Sequence, residues 1–209
     1  MTTDASRHLR ADAARNAERI QRAARKVWAE QGPDAPLEEI ARQAGVGIST
    51  LYRRFPDKGL LARAALEQFL AEDLSPAQAR ALEDDDPLRG LRALIEEALT
   101  LGAREHNTLA AARMSDSLTT DVAAEFHDVL AELVRRGQQA GLIRDDVVPE
   151  DMPRLMVMLF GVLRTMPPNS DGWRRYLALL LDALSPTAAS QLPPVTESMV
   201  SRRVDNFPI

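Results

Sequence analysis

Along the whole chain, apolar residues recur at three- and four-residue spacing and never alternate, and clusters of β-branched residues are rare. Alanine, leucine, arginine and glutamate dominate. This is the pattern of amphipathic helices, and no segment reads as a strand, so the expected fold class is all-α. A first helix over about 12–31 sets Ile20, Ala24, Val27 and Trp28 on one stripe, with Arg15, Arg19, Arg22 and Arg25 elsewhere around it, until Gly32-Pro33 stops it. A short second helix, 36–44, takes Pro36 in its first turn and turns Leu37, Ile40, Ala41 and Ala44 inward; Gly45 supplies the left-handed residue that ends it. A third, 48–55, is broken by Pro56-Asp57-Lys58, with Asp57 the expected N-cap of a fourth over 58–73. The acidic run Glu83-Asp84-Asp85-Asp86-Pro87 reads as a loop, because like charges repel within a helix and Asp-Pro starts the next one well. Beyond it, helices are expected at 88–103, 107–114, 119–140, 149–166 and 171–184. The first eleven residues, and the end of the chain with Pro186, Pro193, Pro194 and Pro208, lack periodicity and are expected to be irregular.

Composition narrows the class further. With 209 residues, 45% hydrophobic and 27% charged, the chain is ordinary globular material, which argues against extended disorder, a collagenous repeat or a coiled-coil rod. No run approaches a membrane span and the polar first twenty residues hold no apolar signal core, so a cytoplasmic protein without a membrane partner is expected. Zero cysteines exclude disulfides, thiolate metal sites and a cysteine nucleophile. The three histidines are His8, His106 and His127, and even with Asp128 their spacing fits no recognised metal site, so neither metal nor cofactor is expected. A net charge of −5 argues against nucleic acid until its distribution is read. Residues 1–70 hold 12 Arg/Lys against 9 Asp/Glu, net +3, leaving 14 against 22, net −8, for the rest. A basic head therefore precedes an acidic body.

Two short helices joined by a glycine turn and braced by a longer preceding helix are the layout of a helix-turn-helix. In residues 37–55, LEEIARQAGVGISTLYRRF, the inward set is Ile40, Ala41, Ala44, Val46, Leu51 and Phe55. Ser49, Thr50, Tyr52, Arg53 and Arg54 are left on or near the outside of the second of these helices. Hydroxyls and guanidinium groups can hold phosphates or base edges, and arginine is the common bidentate partner of guanine. Lys58 stands just after the cap of the next helix, where free N–H groups already favour an anion.

Residues 39–61, EIARQAGVGISTLYRRFPDKGLL, closely resemble the DNA-binding signature of the TetR family of transcriptional regulators, with Ile40-Ala41, Ala44-Gly45-Val46, Thr50-Leu51-Tyr52, Phe55, Lys58 and Leu61 at the family's spacing. The resemblance implies that the third helix enters the major groove of an operator, with Ser49, Thr50, Tyr52, Arg53, Arg54 and Lys58 as DNA contacts. Two positions depart from the pattern. Ile48 stands where a polar residue is usual, and its spacing to Leu51 and Phe55 fits either a core residue or a thymine-methyl contact. Gly59 replaces an acidic residue, which weakens the start of the fourth helix.

For the remainder the resemblance implies a bundle of five or six helices that dimerises through its last two, holds a small-molecule effector between the middle ones, and signals to the heads through the fourth. The expected organisation is an N-terminal arm (1–12), a helix-turn-helix domain (13–62), a ligand-binding and dimerisation domain (63–185) and an irregular tail (186–209). Helix 149–166 is apolar nearly all round, which suits a helix facing both its own core and a second copy. The expected dimer interface is Phe160, Leu163, Trp173, Leu177, Leu180 and Leu181, and the expected pocket lining is Met114, Met156 and Phe160. Arg113 reads as a solvent-exposed side chain or a partner for a ligand carboxylate, and Arg7, Arg10 and Arg15 as an arm that reaches flanking DNA or as incidental charge. The expected function is a homodimeric, ligand-responsive repressor on a palindromic operator. The alternative is an architectural or partner-recruiting DNA-binding protein that senses no small molecule. An enzymatic body is not expected, since no GxSxG, HExxH, P-loop or paired-carboxylate pattern occurs.

Overall fold

Each segment with helical apolar spacing is helical in the structure, and two helical stretches appear that periodicity did not announce. The structure, a computed structural model, describes residues 2–117, 120–167, 170–188 and 190–194, and the side chains of all of these except 2–11, 120–121 and 188. Among the described residues there is no strand, and no helix is long and apolar enough to cross a membrane.

The chain divides into two compact units. One gathers the residues up to Leu70 with the segment that starts at Arg104; the other takes Ala71–Ala103 and the described residues from Thr120 onward. The first unit contains α1 (Thr2–Gln31), α2 (Leu37–Ala44), α3 (Ile48–Arg54), α4 (Lys58–Phe69) and α7 (His106–Met114). Its core is the predicted stripe of α1, with Ile20, Ala24 and Trp28 wholly buried, closed by Ile40, Leu51, Leu61, Ala62, Ala65 and Ala112. The expected irregular arm is corrected: the backbone is helical from Thr2. No glycine or proline interrupts 2–31, and alanine and arginine sustain a helix without an apolar stripe to reveal it. Arg15 pairs with Asp12 three residues before it, while the side chains of Arg7 and Arg10 lie outside the described residues.

A buried ion pair fastens α7 to α1. The Arg25 guanidinium donates from Nε and Nη2 to Glu105 at 3.2 and 2.7 Å. The Thr108 hydroxyl donates to the same carboxylate at 3.0 Å, and Asn107 Nδ2 donates to the Trp28 carbonyl at 2.9 Å. Arg25 also lies 5.5 Å from the centroid of the Phe69 ring of α4. Burial pushes the Glu105 carboxyl up; the Arg25 bond and charge, the Thr108 bond and Arg104 outweigh it and hold the group below the ordinary range.

The second unit contains α5 (Ser75–Glu83), α6 (Pro87–Arg104, apart from its last residue), α8 (Ala124–Gln139), α9 (Asp151–Arg164) and α10 (Trp173–Ala183). The expected end of the fourth helix at 73 is corrected as well. The helix passes through a π-helical stretch, Leu70–Leu74, straight into α5. Pro76 fits the first turn of α5, and Ala77, Gln78 and Ala81 are buried. The acidic run is a loop as expected: Asp86 Oδ1 accepts from the backbone N–H of Leu88 and Arg89 at 3.0 and 3.1 Å. Leu91, Leu94, Ile95 and Leu99 of α6 are wholly buried, as are Leu130 and Leu133 of α8. Phe160 of α9 lies directly over Gly102 of α6, where a Cβ would collide with its ring. Within the predicted tail, Pro186–Ala188 form a 3-10 turn. Arg144 Nη2 donates to the Ser190 carbonyl at 2.7 Å and Asp146 Oδ2 accepts from the Leu192 N–H at 2.9 Å. The tail's remainder, 195–209, lies outside the described residues.

Candidate nucleic-acid interface

The turn between α2 and α3 is fixed by backbone chemistry. Gly45 adopts φ +64°, the left-handed conformation that favours glycine, and the Val46 N–H reaches back to the Ala41 carbonyl at 3.0 Å. Arg19 of α1 donates to the Ala44 carbonyl at 2.6 Å, satisfying the end of α2 from outside the motif. Gly47 then opens α3, its carbonyl accepting from the Thr50 N–H at 2.9 Å. On α3, Leu51 and the following Phe55 are buried against the core. Asp57 caps α4 as expected, accepting from the Leu60 N–H at 2.8 Å.

The predicted contact residues lie on the side of α3 that the core does not claim. Ser49, Tyr52, Arg53 and Arg54 are exposed, Thr50 and Lys58 half-buried. Among the described residues no side chain bonds to Ser49, Thr50, Tyr52 or Arg53, and neither Arg53 nor Lys58 has an ion-pair partner. Elsewhere some arginines are neutralised locally, Arg63 by Glu67 at 2.8 Å and Arg135 by Glu132 at 2.6 Å. The α3 face is thus a cluster of unengaged donors and positive charge, the chemistry that holds phosphates and acceptor edges of bases. Ile48 is not a core residue: it is 36% exposed on this same surface.

Sequence reading missed three supports of this surface. Arg19, which caps α2, and the Arg25–Glu105 pair join residues 25 and 80 positions apart, and nothing in either local sequence announces the partner. Gly59 also has a reason to be glycine: a Cβ there would stand 2.7 Å from Ser117 Oγ and 3.1 Å from Ser115 Cβ, so it admits the residues that follow α7 against the start of α4.

Several candidate pocket and interface residues lie elsewhere than expected. Met114 is 58% exposed at the end of α7, while Met156 is buried and Phe160 half-buried over Gly102. Trp173, Leu177 and Leu181 were expected at a dimer interface; they form the i, i+4, i+8 stripe by which α10 packs inward within its own chain and are buried. Leu163 and Leu180 are half-buried. The large apolar residues that α9 and α10 leave outside are Met158, Tyr176 and Leu179, at 63%, 44% and 54% exposure. Arg113 is exposed. His127 stands beside the Phe126 ring at 5.9 Å and burial lowers its pKa, partly opposed by Asp128; among the described residues no group of three or more potential metal ligands converges.

Comparison with known proteins matches both regions. The model of the tetR family of bacterial regulatory proteins matches residues 20–65, and that of the C-terminal domain of SbtR-like transcriptional regulators matches residues 86–186. Over 78 residues, 37% of this chain, the sequence is 33% identical to an HTH-type transcriptional regulator of Staphylococcus aureus strain USA300, and the chain spans only 41% of the length of that curated relative. Among solved structures, a TetR transcriptional regulator of Streptomyces coelicolor is 30% identical with a TM-score of 0.57, the match covering 82% of this chain and 99% of the other. The regulator FadR of Bacillus subtilis, solved with stearoyl-CoA, shares the fold at 18% identity and a TM-score of 0.64, over 80% of this chain and 96% of its own.

Proposed function

The chain belongs to the TetR family of bacterial transcriptional regulators, and from that premise we propose that it is a homodimeric repressor, released from a palindromic operator by a small apolar or amphipathic effector. The observation that carries the reading is the outward face of α3, where Ser49, Thr50, Tyr52 and Arg53 stand without side-chain partners among the described residues. With α3 in the major groove, Thr50 and Arg53 read base edges, and Ser49, Tyr52, Arg54 and Lys58 hold phosphates that fix register. Residues 13–62 serve as the DNA-binding domain and 63–185 as the sensing and dimerising one, acting in the cytoplasm where the operator is.

Dimerisation through α9 and α10 accounts for the apolar surface they leave outside. Met158, Tyr176 and Leu179 form the centre of that interface, with Phe160, Leu163 and Leu180 beside them. The apolar interior around Met156 suits an effector with a hydrocarbon portion, in keeping with the stearoyl-CoA bound to the FadR of Bacillus subtilis. An effector that fits best when the two α3 helices are spaced away from the operator's repeat weakens DNA binding by its differential affinity. The operator weakens effector binding by the same factor.

Selection of genomic fragments by the purified chain across a salt series tests this. An inverted repeat is expected, its half-sites centred about 34–36 Å or a multiple of that apart. Binding without sequence preference at every salt concentration would favour the architectural or partner-recruiting protein instead.

A further inference from the structure

The first residue of α3 differs in kind from the rest of its outward face. Ile48 lies one turn ahead of Tyr52 on the same side of the helix. It is 36% exposed, whereas Leu51 and Phe55, which share its helical spacing, are 0% and 6% exposed. The core of the head is closed without it. Lone exposed aliphatics are common on protein surfaces, but this one occupies the surface that otherwise presents only Ser49, Thr50, Tyr52 and the arginines. The residue before it, Gly47, is exposed and has nothing but Ser49 Oγ, at 3.9 Å, within 4 Å of where a Cβ would stand.

An isoleucine side chain has no donor or acceptor, so it can satisfy neither a phosphate nor the polar edge of a base. In the major groove the apolar group that base pairs present is the thymine C5 methyl, and recognition helices make their base contacts with their leading residues. Resting on the reading of the head as a DNA-binding domain, we propose that Ile48 is a specificity-determining residue that packs on a thymine methyl in each operator half-site. It selects an A·T pair at that position by methyl contact, while Thr50 and Arg53 read polar edges nearby.

Deoxyuridine pairs as thymidine does and lacks only this methyl, so it tests the contact directly. The full chain is first used to select its operator. Each thymine of that site is then replaced singly by uracil, and affinity is measured for the wild-type protein and for Ile48→Ala, whose fold is checked by its thermal melt. At one thymine per half-site the wild type should lose about fourfold on replacement, and more than tenfold when both half-sites are replaced. Ile48→Ala should bind the thymine and uracil forms of those positions equally. A selected half-site without thymine, or uracil effects that are the same for both proteins at every position, would overturn the inference while leaving the DNA-binding reading in place. Failure to select any site would overturn both.

Discussion

The two compact units differ in what their helices leave to solvent. In the head, α3 buries Leu51 against its neighbours and, Ile48 apart, shows hydroxyls, a phenol and guanidinium groups outside. In the body, α9 and α10 bury Met152, Met156, Leu159, Trp173, Leu177 and Leu181, and still leave Met158, Tyr176 and Leu179 outside. A charged, unpaired face suits a polyanion that offers its own hydrogen-bond acceptors; an apolar one suits an equally apolar face, which in the proposed dimer a second copy supplies. The lesson is that apolar residues on a helix divide between a chain's own core and its partner, and only burial tells them apart.

Aspartate at two neighbouring leucines of α10 tests that division most severely. Leu177→Asp places an unpaired carboxylate in the core of the body, costs on the order of 5 kcal/mol and should prevent folding. Leu179→Asp should give a helical chain that sediments as a monomer. If both variants behave alike, the distinction between inward and partner-facing stripes fails.

Next in size is the pair that fastens the head. Arg25→Ala leaves the buried Glu105 with only the more exposed Arg104, 3.5 Å away, and should cost about 3 kcal/mol in denaturant unfolding. The folded pKa of Glu105 lies below its unfolded value of 4.5. The pair's contribution is therefore complete above that value and is lost as pH falls through the lower folded one. Arg25→Ala should flatten the acid limb of the stability profile, and an unchanged limb would mean that the pair does not hold the head together.

Smaller effects separate the residues of the DNA face. Arg53→Ala should cost about 1–3 kcal/mol at a guanine-containing operator and relax base preference, whereas Lys58→Ala should weaken all sequences alike and reduce the salt slope by about one. Equal effects on specific and non-specific DNA would remove Arg53 from base reading. The smallest expected change is a gain. Gly47 caps α3 without a side-chain bond, at φ −69° and ψ 146°, with room for a Cβ. Gly47→Ser should therefore stabilise the chain by a few tenths of a kcal/mol, visible as a raised melting temperature.

The head was more legible than the body because its boundaries are written in local chemistry. Gly45 needs only its own φ to end α2, and Asp57 needs only the N–H three residues on to begin α4. The start of α5 carries Ser75-Pro76, but the π-helical Leu70–Leu74 leaves no break before it, so the end of α4 has no such punctuation. The polar first turns of α1 were hidden for the opposite reason: an intact helix without an apolar stripe gives periodicity nothing to detect. At the candidate site, the outward polar set of α3 followed from helical spacing. The side on which Ile48 lies did not, because i, i+3, i+7 spacing fits both faces of so short a helix. Spacing could not separate Trp173, Leu177 and Leu181, buried within their own chain, from outward apolar residues because core and partner ask for the same residue types, and Arg25 could not be matched to Glu105 because 80 residues separate them.

The central claim, that the α3 face reads sequence and does not merely attract polyanions, is tested most directly by the ratio of affinities for the selected operator and a scrambled duplex across a salt series. A ratio of about a thousand or more at physiological salt is expected, with the scrambled duplex losing affinity steeply as salt rises. A ratio near one at every salt concentration would contradict it.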